Sequence, residues 1–301
     1  MQKKLDVHQA LTDQIIAAIE AGVQTWQMPW HRSGEGLNRP TNIDTGNAYR
    51  GVNVVALWAS AQMRGFSTGI WGTYRQWGNR DCQVRKGEKA SLIVFYKELD
   101  IEREATESGE SSTDTVLFAR ASWVFNADQV DGYQPEHPAL AFSPVENIEA
   151  ADRFIRETGA DIRHGGTRAF YRHSDDFIQM PDRERFLGSA ASTPTETYYA
   201  TLLHELTHWT GHDKRCDRKF GERFGNDAYA MEELVAELGA AFLCTDIGIC
   251  AELRPDHAQY IDHWLKVLKI DKKAIFTAAS QAAKAADFLN KLQPNERLET
   301  A

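Results

Sequence analysis

The 301-residue sequence predicts a two-domain α+β protein. Three observations predict it. Two strand-like apolar runs flank an acidic stretch in the first half, helical patterns dominate the second half, and a proline-bearing segment poor in charge separates them. That segment holds Pro135, Pro138 and Pro144 and places the boundary near residue 140, giving units of 1–140 and 141–301.

In the first half, Leu11, Ile15, Ile16 and Ile19 share one helical face, and Gly22 stands where a C-terminal cap belongs. A helix over about residues 6–21 follows. Trp26 to Trp30, with Pro29 inside, interrupts regular structure. Residues 52–63 are apolar enough for a second helix buried on one side, with Trp58 in the core. Residues 91–96 and 116–125 read as strands. The stretch between them, 98–115, carries seven acidic residues against Arg103 alone and few apolar ones, so a mobile loop is expected there.

In the second half, 143–158 has a helical pattern. Phe170-Tyr171-Arg172 and Phe177-Ile178-Gln179-Met180 flank a His-Ser-Asp-Asp turn and predict a hairpin. Helices fill the rest.

Hydrophobic residues make up 42% and charged residues 26%, the balance of a globular chain able to bury cores without staples. No apolar h-region follows the first residues and no run reaches the ~18 apolar residues of a membrane span. A cytoplasmic protein without a membrane partner is expected. Cys82, Cys216, Cys244 and Cys250 form no C-x-x-C pair, which fits reduced thiols and gives no support to a thiolate-held metal. The net charge of −9 argues against nucleic acid, but its distribution does not. Between Gly51 and Lys97 seven basic residues stand against two acidic ones, an excess of five.

The chemistry concentrates on one helix. Thr193 can cap it, Pro194 suits the first turn and Glu196 completes a capping box. The helix carries His204-Glu205-Leu206-Thr207-His208 and stops near Gly211. Residues four apart lie one above the other, so His204 and His208 can each give an imidazole nitrogen to one Zn²⁺. Glu205 projects beside them, placed to take a proton from a water that the ion polarises.

Such a zinc wants a third protein ligand. Ten residues after His204 stands Lys214, which cannot serve. His212 lies more than two turns away on a continuous helix. The better candidate is Glu233, on a second helix that Asp227 can cap. Glu237 shares its face, opposite a stripe with Leu234, Leu238 and Phe242. Glu233 would bind the metal, giving a gluzincin-like set, and Glu237 would accept a hydrogen bond from a ligand histidine. One zinc per chain is expected, with another divalent metal as the alternative.

The run from His204 to His212, with Tyr229 to Leu243, resembles the C-terminal zincin-like metallopeptidase domain of ArdC-type antirestriction proteins. Those proteins occur on conjugative plasmids and related mobile elements. Tyr49-Arg50-Gly51-Val52-Asn53, Trp71 to Trp77, Val84 to Ala90 and Val124 to Gln129 resemble the N-terminal single-stranded-DNA-binding domain of the same family. The resemblance implies protection of incoming plasmid DNA from host restriction endonucleases.

The residues give their own, weaker case for DNA. Trp71, Tyr74 and Trp77 alternate with polar groups, and Arg75, Arg85, Lys86 and Lys89 supply cations. Bases can stack on exposed rings while cations follow phosphates. With Arg50 and Asn53 from the resemblance, these are the expected DNA-binding residues. The partners expected are single-stranded DNA and a host protein as peptidase substrate. The rival is a DNA-coating protein whose zinc domain is structural or vestigial; keeping Glu205 favours the enzyme, since a structural site needs no base.

Overall fold

A computed structural model describes residues 5–23, 28, 39–103, 112–134, 144–188, 192–220, 227–249 and 258–294. The expected boundary segment 135–143, most of 24–38 and Cys250 lie outside these residues. In chain order the elements are α1 (Val7–Val23), β1 (Thr41–Asn42), α2 (Val52–Arg64), β2 (Ile70–Gly72), α3 (Tyr74–Gly78), β3 (Gln83–Val84), β4 (Ser91–Arg103), β5 (Ser112–Asn126) and β6 (Val130–Asp131). Then come α4 (Pro144–Glu157), β7 (Asp161–His164), β8 (Phe170–Arg172), β9 (Phe177–Met180), α5 (Pro194–Thr210), α6 (Ala228–Ile247), α7 (Ala258–Ile270) and α8 (Ala274–Lys291).

β1, β2, β5 and β4 form one sheet in that order, parallel at β1–β2 and antiparallel elsewhere. β3 and β6 pair separately. In the second half, β9 lies between β7, its parallel neighbour, and β8, its antiparallel one. The hairpin read from the sequence is therefore β8–β9.

The long β4–β5 hairpin departs from expectation. Its pairing runs from Ser91↔Val124 out to Arg103↔Ser112. Residues 98–103 and 112–115 are strand rather than loop, and only 104–111 fall outside the description. The physical reason lies in the alternation of Glu98, Leu99, Asp100, Ile101 and Glu102. That is a period-two pattern, which a count of charges over the whole stretch hides.

The two halves share their apolar interior. Leu11 and Ile15 of α1, Val55 and Trp58 of α2, Phe242 of α6 and Ala279 of α8 belong to one buried cluster. Trp58 and Phe242 meet with ring centroids 5.7 Å apart. Across the same seam, the Thr12 hydroxyl donates to the Lys272 carbonyl at 2.7 Å, Arg39 pairs with Asp246 at 2.8 Å and Lys269 with Glu20 at 2.7 Å. A second, smaller cluster holds Trp77, Cys82, Val84, Ala127 and Val130. Among the described residues no helix is long and apolar enough to cross a membrane.

Candidate metal centre and nucleic-acid surface

α5 begins as its sequence dictates. The Thr193 hydroxyl accepts from the Glu196 amide at 3.2 Å, and the Glu196 carboxylate accepts from the Thr193 amide at 2.8 Å. The helix then buries Leu202, Leu203 and Leu206, which fixes the opposite side toward a cavity of about 1140 Å³. His204, Glu205 and His208 line that cavity, with Glu232, Glu233 and Tyr229 from α6.

α6 is held close to α5 by a missing side chain. A Cβ at Gly239 would stand 2.4 Å from Thr207 Cγ2, so only glycine permits this approach. Asp227 precedes α6 but makes no side-chain capping bond; its carboxylate lies 3.9 Å from Lys266 Nζ.

The close packing brings three donors together. His204 Nε2 and His208 Nε2 are 3.1 Å apart, and Glu233 lies 3.5 Å from the first and 3.6 Å from the second. Ligand atoms ~2.1 Å from a tetrahedral ion are separated by roughly 3.4 Å, so these residues fit a divalent metal. Among the described residues this is the one group of three or more potential ligand side chains close enough to share an ion. His212 stands apart from it, stacked on His173 with centroids 4.6 Å apart.

The electrostatics are also those of a cation site. Burial alone would depress the His208 imidazole, but Glu232 and Glu233 outweigh it and lift it to about 10. The same burial pushes the Glu233 carboxyl up, and His204 and His208 overcome it, holding Glu233 well below the usual carboxylate range.

Glu237 faces His204 Nδ1 at 3.8 Å, beyond direct hydrogen-bond reach. The tighter contact is one that sequence reasoning missed: Glu232 lies 3.1 Å from His208 Nδ1. Glu232 is itself gripped by the fully buried guanidinium of Arg218, which also donates to the Thr207 carbonyl at 2.8 Å. An acidic first turn is the sequence reading of Glu232, but it is the fifth residue of α6, and nothing in the sequence links it to an arginine fourteen residues back.

The expected DNA-binding residues do not form one surface. Trp71 and Trp77 are 1% and 0% exposed. The Trp77 indole donates to the Phe125 carbonyl at 3.1 Å, so both rings are structural and offer no face to a base. The Asn53 side chain makes two bonds to the Val94 backbone, at 2.8 and 2.9 Å, and is structural too. Arg50 pairs with Asp287. Arg85 is held by Glu88, Asp131 and the Asp128 carbonyl. Tyr74, Arg75, Lys86 and Lys89 are left on this side, with Tyr74 58% exposed.

A helix-borne His pair with a carboxylate from a neighbouring helix defines a zincin-like site. The family described as zincin-like metallopeptidase matches residues 149–281, and the N-terminal domain of anti-restriction factor ArdC matches 5–125. The crystal structure of metal-free antirestriction ArdC protein from R388 plasmid superposes with a TM-score of 0.76 at 40% identity, covering 96% of this chain and 98% of that one. Its Mn(II)-bound form gives 0.74 at 39%, covering 97% and 100%. An uncharacterized protein, y4eC of Sinorhizobium fredii, is 47% identical over 97% of this chain and 94% of its own length. The chain belongs to the ArdC family of antirestriction proteins. DNA primase TraC of Escherichia coli is 36% identical over 95% of this chain, which spans 27% of that longer protein.

Proposed function

We propose that this antirestriction protein works in the cytoplasm, binding single-stranded DNA through its N-terminal half and cleaving a host protein at a zinc site in its C-terminal half. The observation that carries the peptidase reading is the wide cavity onto which three potential ligands and Glu205 open together. A purely structural zinc is enclosed by four protein ligands and has no use for a base.

His204, His208 and Glu233 would hold the ion, and Glu232 orients the His208 imidazole. When bound, the cation supplies Lewis acidity to a carbonyl in the cavity. Glu205 takes up the proton of the attacking water and passes it to the leaving amine. Two imidazoles and one carboxylate suit zinc. The relative that holds Mn(II) makes manganese the rival to exclude.

The test is Glu205→Ala, assayed for protection of transferred DNA from restriction. Loss of protection, with metal content and oligonucleotide affinity unchanged, is expected. Full protection by that variant would make the protein a DNA-coating factor with a non-catalytic metal domain.

A further inference from the structure

The β4–β5 hairpin is a ribbon of thirteen paired positions. Opposed residues of an antiparallel pair share a face, and faces alternate along each strand. The face of position 95 therefore includes 97, 99, 101 and 103, which are Lys, Leu, Ile and Arg in sequence. Glu98, Asp100 and Glu102 occupy positions of the opposite face. Asp114, opposite Ile101, takes a position on the face of Phe95, so the register does not gather every acid on one side.

At the base of the Phe95 face Ile93 and Val124 are fully buried. One step further out Phe95 is 51% exposed, and beyond it Phe118 is 44% exposed. Exposed Arg120 lies directly across from Phe95. On the other face the Tyr96 hydroxyl meets His8 Nε2 at 3.3 Å, and His8 packs on Phe276 of α8 at 4.7 Å, while Tyr96 and Trp123 keep about half their surface. The core face thus continues outward as Phe95, Phe118 and Arg120.

We infer that single-stranded DNA lies along this face of the ribbon, with bases on Phe95 and Phe118 and a phosphate at Arg120, rather than along residues 71–89. Phe95 and Phe118 are diagonal partners at about 7–8 Å, a spacing that successive nucleotides of an extended strand can bridge. Base stacking needs ring faces and the backbone needs cations, and both stand here on one side.

This inference rests on the single-stranded-DNA reading above. The test uses the full chain and fluorescein-labelled oligothymidylate, read by anisotropy across a salt series. Phe95→Ala and Phe118→Ala should each weaken binding about 5- to 150-fold, equivalent to ~1–3 kcal/mol per stacked base. Arg120→Ala should lower the salt slope by ~0.7. Lys86→Ala should change little. These side chains are exposed, so unchanged melting should accompany each loss. A 5-iodouracil oligonucleotide should crosslink to Phe95 or Phe118. Wild type that binds while the three ribbon variants match it would overturn the inference and leave the DNA reading standing. Ribbon variants that change sedimentation without changing affinity would overturn it in favour of self-contact. Wild type that binds no single strand at all would remove both.

Discussion

Gly239 of α6 lies against Thr207 of α5 so closely that an added Cβ would fall within 2.8 Å of the threonine hydroxyl and nearer still to its methyl. Thr207 precedes His208, and Gly239 sits two residues beyond Glu237. The contact therefore sets the distance between the histidine helix and the glutamate helix. Gly239→Ala should destabilise the fold by ~1–3 kcal/mol through overpacking. It should also weaken metal binding, because Glu233 is pushed from the imidazoles. Adding Thr207→Ser, which removes the offending methyl, should restore part of both. Thermal melts and chelator competition on the single and double variants measure the coupling; strict additivity would mean that the two residues do not set the spacing.

Metal content separates the ligands from their neighbours. Purified protein should carry close to one divalent ion per chain. His208→Ala and Glu233→Ala should lose it, and His212→Ala should keep it. Elemental analysis after dialysis is the measurement. Chelation should lower the melting temperature of wild type and leave Glu233→Ala nearly unmoved, since a ligand stabilises only the state that binds it.

Acid sensitivity should appear at Asp176, in the turn between β8 and β9. Hydrogen bonds from Arg215 hold its carboxyl down at about 2 against the pull of burial, with help from the Tyr171 hydroxyl. A depressed carboxyl contributes stability above its unfolded value near 3.8, and that contribution is lost as pH falls toward 2. Asp176→Asn should therefore cost roughly 2 kcal/mol at neutral pH and flatten the acid limb of the stability curve below about pH 4. Arg215 lies 3.8 Å above the Trp209 ring, so the same variant should loosen the hairpin from the end of α5. Urea titrations at several pH values test this.

Residues 1–140 expressed alone should not fold cooperatively. α1 and α2 bury their apolar faces partly against α7 and α8, Glu20 finds its partner Lys269 on α7, and Arg39 finds Asp246 on α6. The intact chain should unfold in one transition, and the fragment should show exposed apolar surface by dye binding. A stable fragment with a native-like amide spectrum would show that the boundary read from the prolines separates units that fold alone.

The metal site was legible because its information is local. Spacing put His204 and His208 on one side of a capped helix, and Glu233 with Glu237 on one side of another. What spacing could not supply was the pairing of distant groups, such as Arg218 with Glu232 and through it His208. The first half was harder for the same reason. Trp71 and Trp77 stand among polar residues, but β2 and the single turn of α3 rotate both inward, and a local pattern does not say which way so short a helix turns. The acidic hairpin was misread by averaging charges where alternation carried the signal.

The seam between the halves also has a consequence in time. Thr12 reaches its partner Lys272 across 260 residues of chain. At ribosomal speeds of ~5–20 residues per second, α1 waits roughly 13–50 s for α7 and α8 to emerge. Through that interval Leu11, Ile15 and Val55 lack much of their cover. The nascent chain therefore exposes this apolar surface until α8 is free of the exit tunnel, and DNA-protecting activity should lag behind the synthesis of α8 by the time that closure takes.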